Sequence, residues 1–115
     1  MIKGLHHISV IASSEKTVEF YIKLGFKETF REKRPNDSIV FLDGYGIRLV
    51  LFIDPSHPPR DMNPEQLGVR SFALKVDDIE KIAERYGCSP IKRDWNGERY
   101  CILIDPDGLC VQLHE

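Results

Sequence analysis

The stretch YCILIDPDGLCVQLHE, residues 100–115, decides the reading of this chain. Two apolar runs flank Asp105-Pro106-Asp107-Gly108, a tight-turn signature, so it predicts strand, turn, strand. An earlier segment, IVFLDGYGIRLVLF at residues 39–52, superposes on it without a gap. Asp43 falls on Asp105, Gly46 on Gly108 and Val50 on Gln112, each 62 positions on. A hairpin repeated within 115 residues implies two copies of one small unit, with a cleft where they meet.

Working outward, residues 5–12 (LHHISVIA) predict a first strand, with His6, Ile8 and Val10 on one face and Leu5, His7, Ser9 and Ile11 on the other. Ser13-Ser14 offers an N-cap for a helix whose stripe is Val18, Tyr21 and Ile22, closed at Gly25. Lys27 to Arg31 begins a second strand, followed by a charged, proline-containing loop from Arg31 to Ser38. Residues 39–42 and 47–53 complete the unit, with Ile47, Leu49, Leu51 and Ile53 toward the helix and Arg48, Val50 and Phe52 opposite.

After the proline-rich residues 54–67, the pattern restarts at Gly68 with a strand at 69–76, on which His7 falls at Ser71. Asp77 and Asp78 cap a second helix, Asp77 and Glu80 having capping-box spacing, with the stripe Ile79, Ile82, Ala83 and Tyr86 ending at Gly87. Strands at 91–95 and 98–104 join through Asn96-Gly97, a type I′ signal. The last strand turns Leu109, Val111 and Leu113 to the helix and Cys110, Gln112 and His114 away.

The expected architecture is therefore α+β, two βαβββ modules (1–53 and 68–115) joined by a linker at 54–67 in one compact domain. A ferredoxin-like sandwich would need one strand fewer in each half.

Composition excludes several classes. Apolar residues at 42% supply a core, and charged residues at 30% a solvated surface. A net charge of −2 with interspersed signs leaves no nucleic-acid footprint. No apolar run reaches membrane-span length and no signal peptide is evident, so a cytoplasmic location and no membrane partner are expected. Three cysteines without metal-type spacing, Cys88, Cys101 and Cys110, point to free, mostly buried thiols.

Polar side chains mark the candidate site. The strand faces turned away from the helices carry His7, Ser9, Arg48, Ser71, Lys75, Gln112 and His114, mixed with Leu5, Ile11, Val50, Phe52 and Ala73. That mixture favours a small-molecule pocket with apolar walls and convergent polar groups over a plain exposed sheet. Tyr45, Phe52, Trp95 and Tyr100 are candidate aromatic walls.

GLHHISVIASSEKTVEFYIKLGF, GVRSFALKVDDIEKIAERYG and ILIDPDGLCVQL together resemble the glyoxalase I-like, or vicinal oxygen chelate, superfamily, over essentially the whole chain. The resemblance implies two βαβββ modules in a curved, mostly antiparallel half-barrel with helices outside. It also implies a divalent metal (Ni, Zn, Mn or Fe) held at four strand positions, which here are His7, Val50, Ser71 and Gln112. Only His7 and Gln112 are plausible ligands, and no carboxylate is among the four, whereas a partly buried divalent ion needs about three or more donors. Metal-independent ligand binding, as in bleomycin-resistance relatives, is therefore the expected function, and no cofactor is assigned with it. The alternative is a metal-dependent lactoylglutathione lyase-like lyase or isomerase, or a dioxygenase relative, using His7 and Gln112; a groove serving protein–protein contact is a third. A homodimer follows from the same resemblance.

Simpler roles stand beside these. His7 suits a hydrogen-bonded pocket histidine, His6 a packing residue under the helix, and His57 and His114 solvated surface. Arg48 suits either an anion receptor or a partner of a neighbouring carboxylate, and Cys110 an inert buried thiol.

Overall fold

The structure is a computed structural model that describes every residue except Ser89. The chain divides into two compact units, Met1–Pro58 and Pro59–Glu115, so the proline-rich stretch is shared between them.

The first unit runs β1 (Ile8–Ala12), α1 (Glu15–Lys23), β2 (Lys27–Lys33), β3 (Ser38–Gly44) and β4 (Ile47–Ile53). Its sheet has the order β1-β4-β3-β2, antiparallel except for the parallel pair β1–β4. The second unit repeats this as β5 (Ser71–Lys75), α2 (Ile79–Tyr86), β6 (Lys92–Arg93), β7 (Arg99–Ile104) and β8 (Cys110–His114), in the order β5-β8-β7-β6 with β5–β8 parallel. The α+β class and the βαβββ order follow the sequence pattern. No helix among the described residues is long and apolar enough to cross a membrane.

Local chemistry explains the elements. Ser14 caps α1, its hydroxyl accepting from Lys16 N at 3.2 Å. The buried stripe is Thr17, Val18 and Tyr21, continued by Leu24, and Ile22 is exposed. At 100° per residue Ile22 lies too far around from Thr17 to share its contact with the sheet. In α2 the cap is Asp78, which accepts from Lys81 N at 3.2 Å, and not an Asp77–Glu80 box. Glu80 is engaged instead by Arg99. Gly87 closes α2 in the left-handed conformation, φ 65°.

Beneath α1, Val40, Leu42, Leu49 and Leu51 are fully buried; in the second unit Ile79 and Ala83 of α2 pack with Cys88, Cys101 and Leu113. Each large aliphatic side chain so buried contributes about 1.5–3 kcal/mol. Cys88 and Cys101 are not free thiols. They form a disulfide across a Cα separation of 5.8 Å, within the range such a bond requires, and Cys110 alone remains a thiol. Spacing gave no hint of this pair because the fold, not the sequence, brings the residue after α2 against the middle of β7.

The two hairpins are not superposable without a gap. Phe41 faces Val50 on the first, whereas Ile102 faces Gln112 on the second, so the halves differ by one residue in the turn. Tyr45-Gly46 forms a two-residue turn with φ of 56° and 77°, the type I′ geometry. Tyr45 is held there by donating its hydroxyl to Leu24 O and by packing edge-on against Phe26. Asp105–Gly108 is a longer loop: Gly108 N donates to Asp105 O (3.0 Å), Asp105 N to Leu109 O (2.9 Å), and φ at Gly108 is 93°. That is a type I turn with a glycine bulge. The β6–β7 loop has the same form, with Gly97 N donating to Asp94 O at 2.9 Å. Asn96 has no positive φ, so the expected type I′ turn at Asn96-Gly97 is replaced by a three-residue loop.

Candidate functional site

In the first unit, strand register places the candidate residues. Ser9 on β1 and Phe41 on β3 flank Val50 on β4, and Ile11 and Ile39 flank Phe52 in the same way. Helix-side residues alternate with these, so Ser9, Ile11, Phe41, Val50 and Phe52 share the face turned away from α1. Val50 is only 5% exposed, while Ser9 and Ile11 remain open.

Arg48 resolves in favour of a carboxylate partner. Its Nε donates to Asp43 Oδ1 at 2.7 Å and an Nη to Oδ2 at 3.0 Å, and its guanidinium carbon sits 4.7 Å from the centre of the Phe41 ring. Thr29 donates to the same Asp43 at 3.1 Å. The Arg48 hydrogen bonds hold the Asp43 carboxyl below its ordinary range and push Arg48 up. An open depression of about 330 Å³ is lined by His6, Asp43, Gly44, Gly46, Ile47 and Arg48. Of the residues predicted to line a pocket, Arg48 alone borders it.

The histidines depart from expectation. Residues 5–7 precede β1, and both His6 and His7 are exposed, their Nδ1 atoms 2.7 Å apart. His6 therefore does not pack under α1; one ring of the pair donates and the other accepts.

In the second unit, Ser71 faces Cys110, Ala73 faces Gln112 and Lys75 faces His114. On the other flank of β8, Gln112 faces Ile102 and His114 faces Tyr100. His114 is not simply solvated: its ring stacks on Tyr100 (5.7 Å, 8°), and its nitrogens lie 3.5 Å from carboxylate oxygens of Asp94 and Glu98. Burial pushes the thiol of the half-buried Cys110 up, against the opposing pull of Arg70, Arg60 and Lys92. Trp95 stands exposed at the tip of the β6–β7 loop and walls nothing within its unit.

Phe30 and Phe41 escaped the sequence reading. A register irregularity between Glu28 and Phe30 shifts β2 so that Phe30 faces Phe41, their rings 4.9 Å apart. No residue type in β2 announces that bulge.

The model of the Glyoxalase/Bleomycin resistance protein/Dioxygenase superfamily matches residues 4–113. The chain belongs to that superfamily. It is 37% identical to the uncharacterized protein YwkD of Bacillus subtilis, with 100% of this chain and 98% of the relative covered. The uncharacterized protein YaeR of Escherichia coli is 33% identical, over 99% and 97%. Among solved structures, a glyoxalase family protein from Enterococcus faecalis matches at 36% identity with a TM-score of 0.90, covering 98% of each chain.

The superfamily implies a divalent metal, and the residues here do not fit one. Of the four positions, His7 is paired with His6, Val50 is an aliphatic side chain packed between Ser9 and Phe41, and Ser71 and Gln112 are neutral. None is a carboxylate, so nothing in the set offsets the ion's charge. Among the described residues, no three His, Cys, Asp or Glu side chains are grouped to hold an ion.

Proposed function

We propose that this superfamily member binds a small organic molecule without a metal, on the sheet faces turned away from α1 and α2. The observation that carries the reading is Val50: a buried valine stands where a ligand is needed, with neutral Ser71 and Gln112 at two further positions. On the first sheet Ser9, Arg48 and Phe52, and on the second Lys75 and His114, supply the mixture of apolar wall and polar handle that such sites use. The protein acts by sequestration or delivery of its ligand, as a homodimer, a state that sedimentation or light scattering reads directly. The Cys88–Cys101 disulfide removes the free-thiol argument for a cytoplasmic location.

Metal analysis of the purified protein, followed by calorimetric titration with nickel, zinc, manganese and iron(II), tests the reading. No uptake at micromolar excess is expected, together with a co-purifying organic mass in native mass spectrometry. Stoichiometric metal that disappears in His7→Ala would overturn it. The chain would then be read as a metal-dependent lyase, isomerase or dioxygenase relative using His7 and Gln112.

A further inference from the structure

Resting on that reading, we infer that the ligand is a planar aromatic molecule without net charge, seated on the Phe30–Phe41–Phe52 face of the first sheet. Phe30 is 45% exposed although it lies ring to ring with Phe41. Phe52 shares this face through its register with Ile39 and Ile11, the latter also exposed. Four strands spaced about 4.8 Å apart span roughly 14 Å, the width of two or three fused or linked rings.

The charges at the margins decide the ligand's charge. Arg48 lies over Phe41 and is held bidentately by Asp43. Arg34 lies 5.8 Å from the Phe52 ring and is held bidentately by Asp37, at 2.6 Å to each oxygen. Glu32 faces Ile39, and Lys27 faces Asp43, adding one charge of each sign. An anion would have to displace a carboxylate from a guanidinium already saturated by it, and a cation would meet guanidinium groups at both ends. A neutral ring system keeps both ion pairs and stacks on the phenyl groups between them.

The test uses N-phenylnaphthylamine, a neutral fluorophore, and anilinonaphthalene sulfonate, which has the same rings plus an anionic group. The neutral probe is expected to bind saturably, one per chain, and about tenfold more tightly than the sulfonate, which must approach paired guanidiniums. Phe30→Ala and the volume-preserving Phe30→Leu are each expected to weaken the neutral probe about fivefold, the loss of one ring contact. Asp43→Asn, by releasing Arg48, should narrow the gap between the probes. Equal or tighter sulfonate binding overturns the inference, as does an isotherm unchanged in both Phe30 variants. A change of oligomeric state in place of a change in probe affinity also overturns it, since the face would then be a contact between copies. Any of these leaves the metal-independent reading standing, whereas stoichiometric metal uptake removes both.

Discussion

Asp105→Ala tests how the terminal hairpin holds the second unit in register. The Asp105 carboxylate is 3% exposed, and its Oδ1 accepts from Asp107 N at 2.8 Å and Leu109 N at 3.0 Å. Those two bonds close the loop that sets Ile102 against Gln112 and Tyr100 against His114. A hydrogen bond to a charged acceptor is worth about 1.5–3 kcal/mol, and two half-buried N–H groups recover part of that from water. The alanine variant should therefore lose about 2–4 kcal/mol, a fall in Tm of roughly 8–16 °C for a domain of this size. Asp105→Asn keeps the accepting oxygen and loses only the charge, so it should cost about 1 kcal/mol. Urea titrations at neutral pH, followed by circular dichroism, measure both. An alanine variant within about 0.5 kcal/mol of the parent, or an asparagine variant as damaged as the alanine, would refute the argument.

The Cys88–Cys101 bond closes a loop of 13 residues, and chain entropy puts its contribution at about 3 kcal/mol. Reduction should lower Tm by about 12 °C, and thiol titration of the denatured protein should rise from one group to three; Cys110→Ser should leave Tm unchanged. Acid stability has a definite sign. Hydrogen bonds from arginines hold Glu28, Asp37, Asp43 and Glu80 below their ordinary pKa, so their contribution is present above the unfolded value near 4 and is lost as pH falls through the depressed folded values. Melting temperatures should be flat from pH 7 to about 5 and fall below about 4, and a fall beginning near pH 6 would contradict this assignment.

Much of the fold was legible because period-two alternation and helix caps are local. β4 and β8 came out with their helix-side and opposite faces assigned correctly, and Ser14 and Gly87 mark real helix ends. The candidate site was less legible, since it depends on register between strands distant in sequence. Nothing in IVFLDGYGIRLVLF says that Asp43 will face Arg48, because the turn could have been drawn at either pair of residues around Gly44. A single extra residue at Asp105–Gly108 then breaks the alignment of the halves. The bulge before Phe30 is invisible for the same reason: a bulge is decided by what the partner strand offers.

The departures between the repeats bear directly on the proposed metal-independent binding. Without an ion, a position such as 50 is free to become aliphatic, and Val50 with Phe41 then extends an apolar face instead of interrupting it with a carboxylate. Arg48, left beside that face, is neutralised by Asp43 two strand positions from Phe41, at the loop end of the hairpin. The second unit differs: Gln112 stands between the apolar Ala73 and Ile102, and His114, flanked by Lys75 and Tyr100, lies near the carboxylates of Asp94 and Glu98. The first sheet therefore carries rings and aliphatic side chains, and the second carries hydrogen-bond donors and acceptors, each on its own face. A repeat retained for four-point chelation would have little reason to let its two sheet faces diverge in this way, and that divergence supports the proposed metal-independent reading.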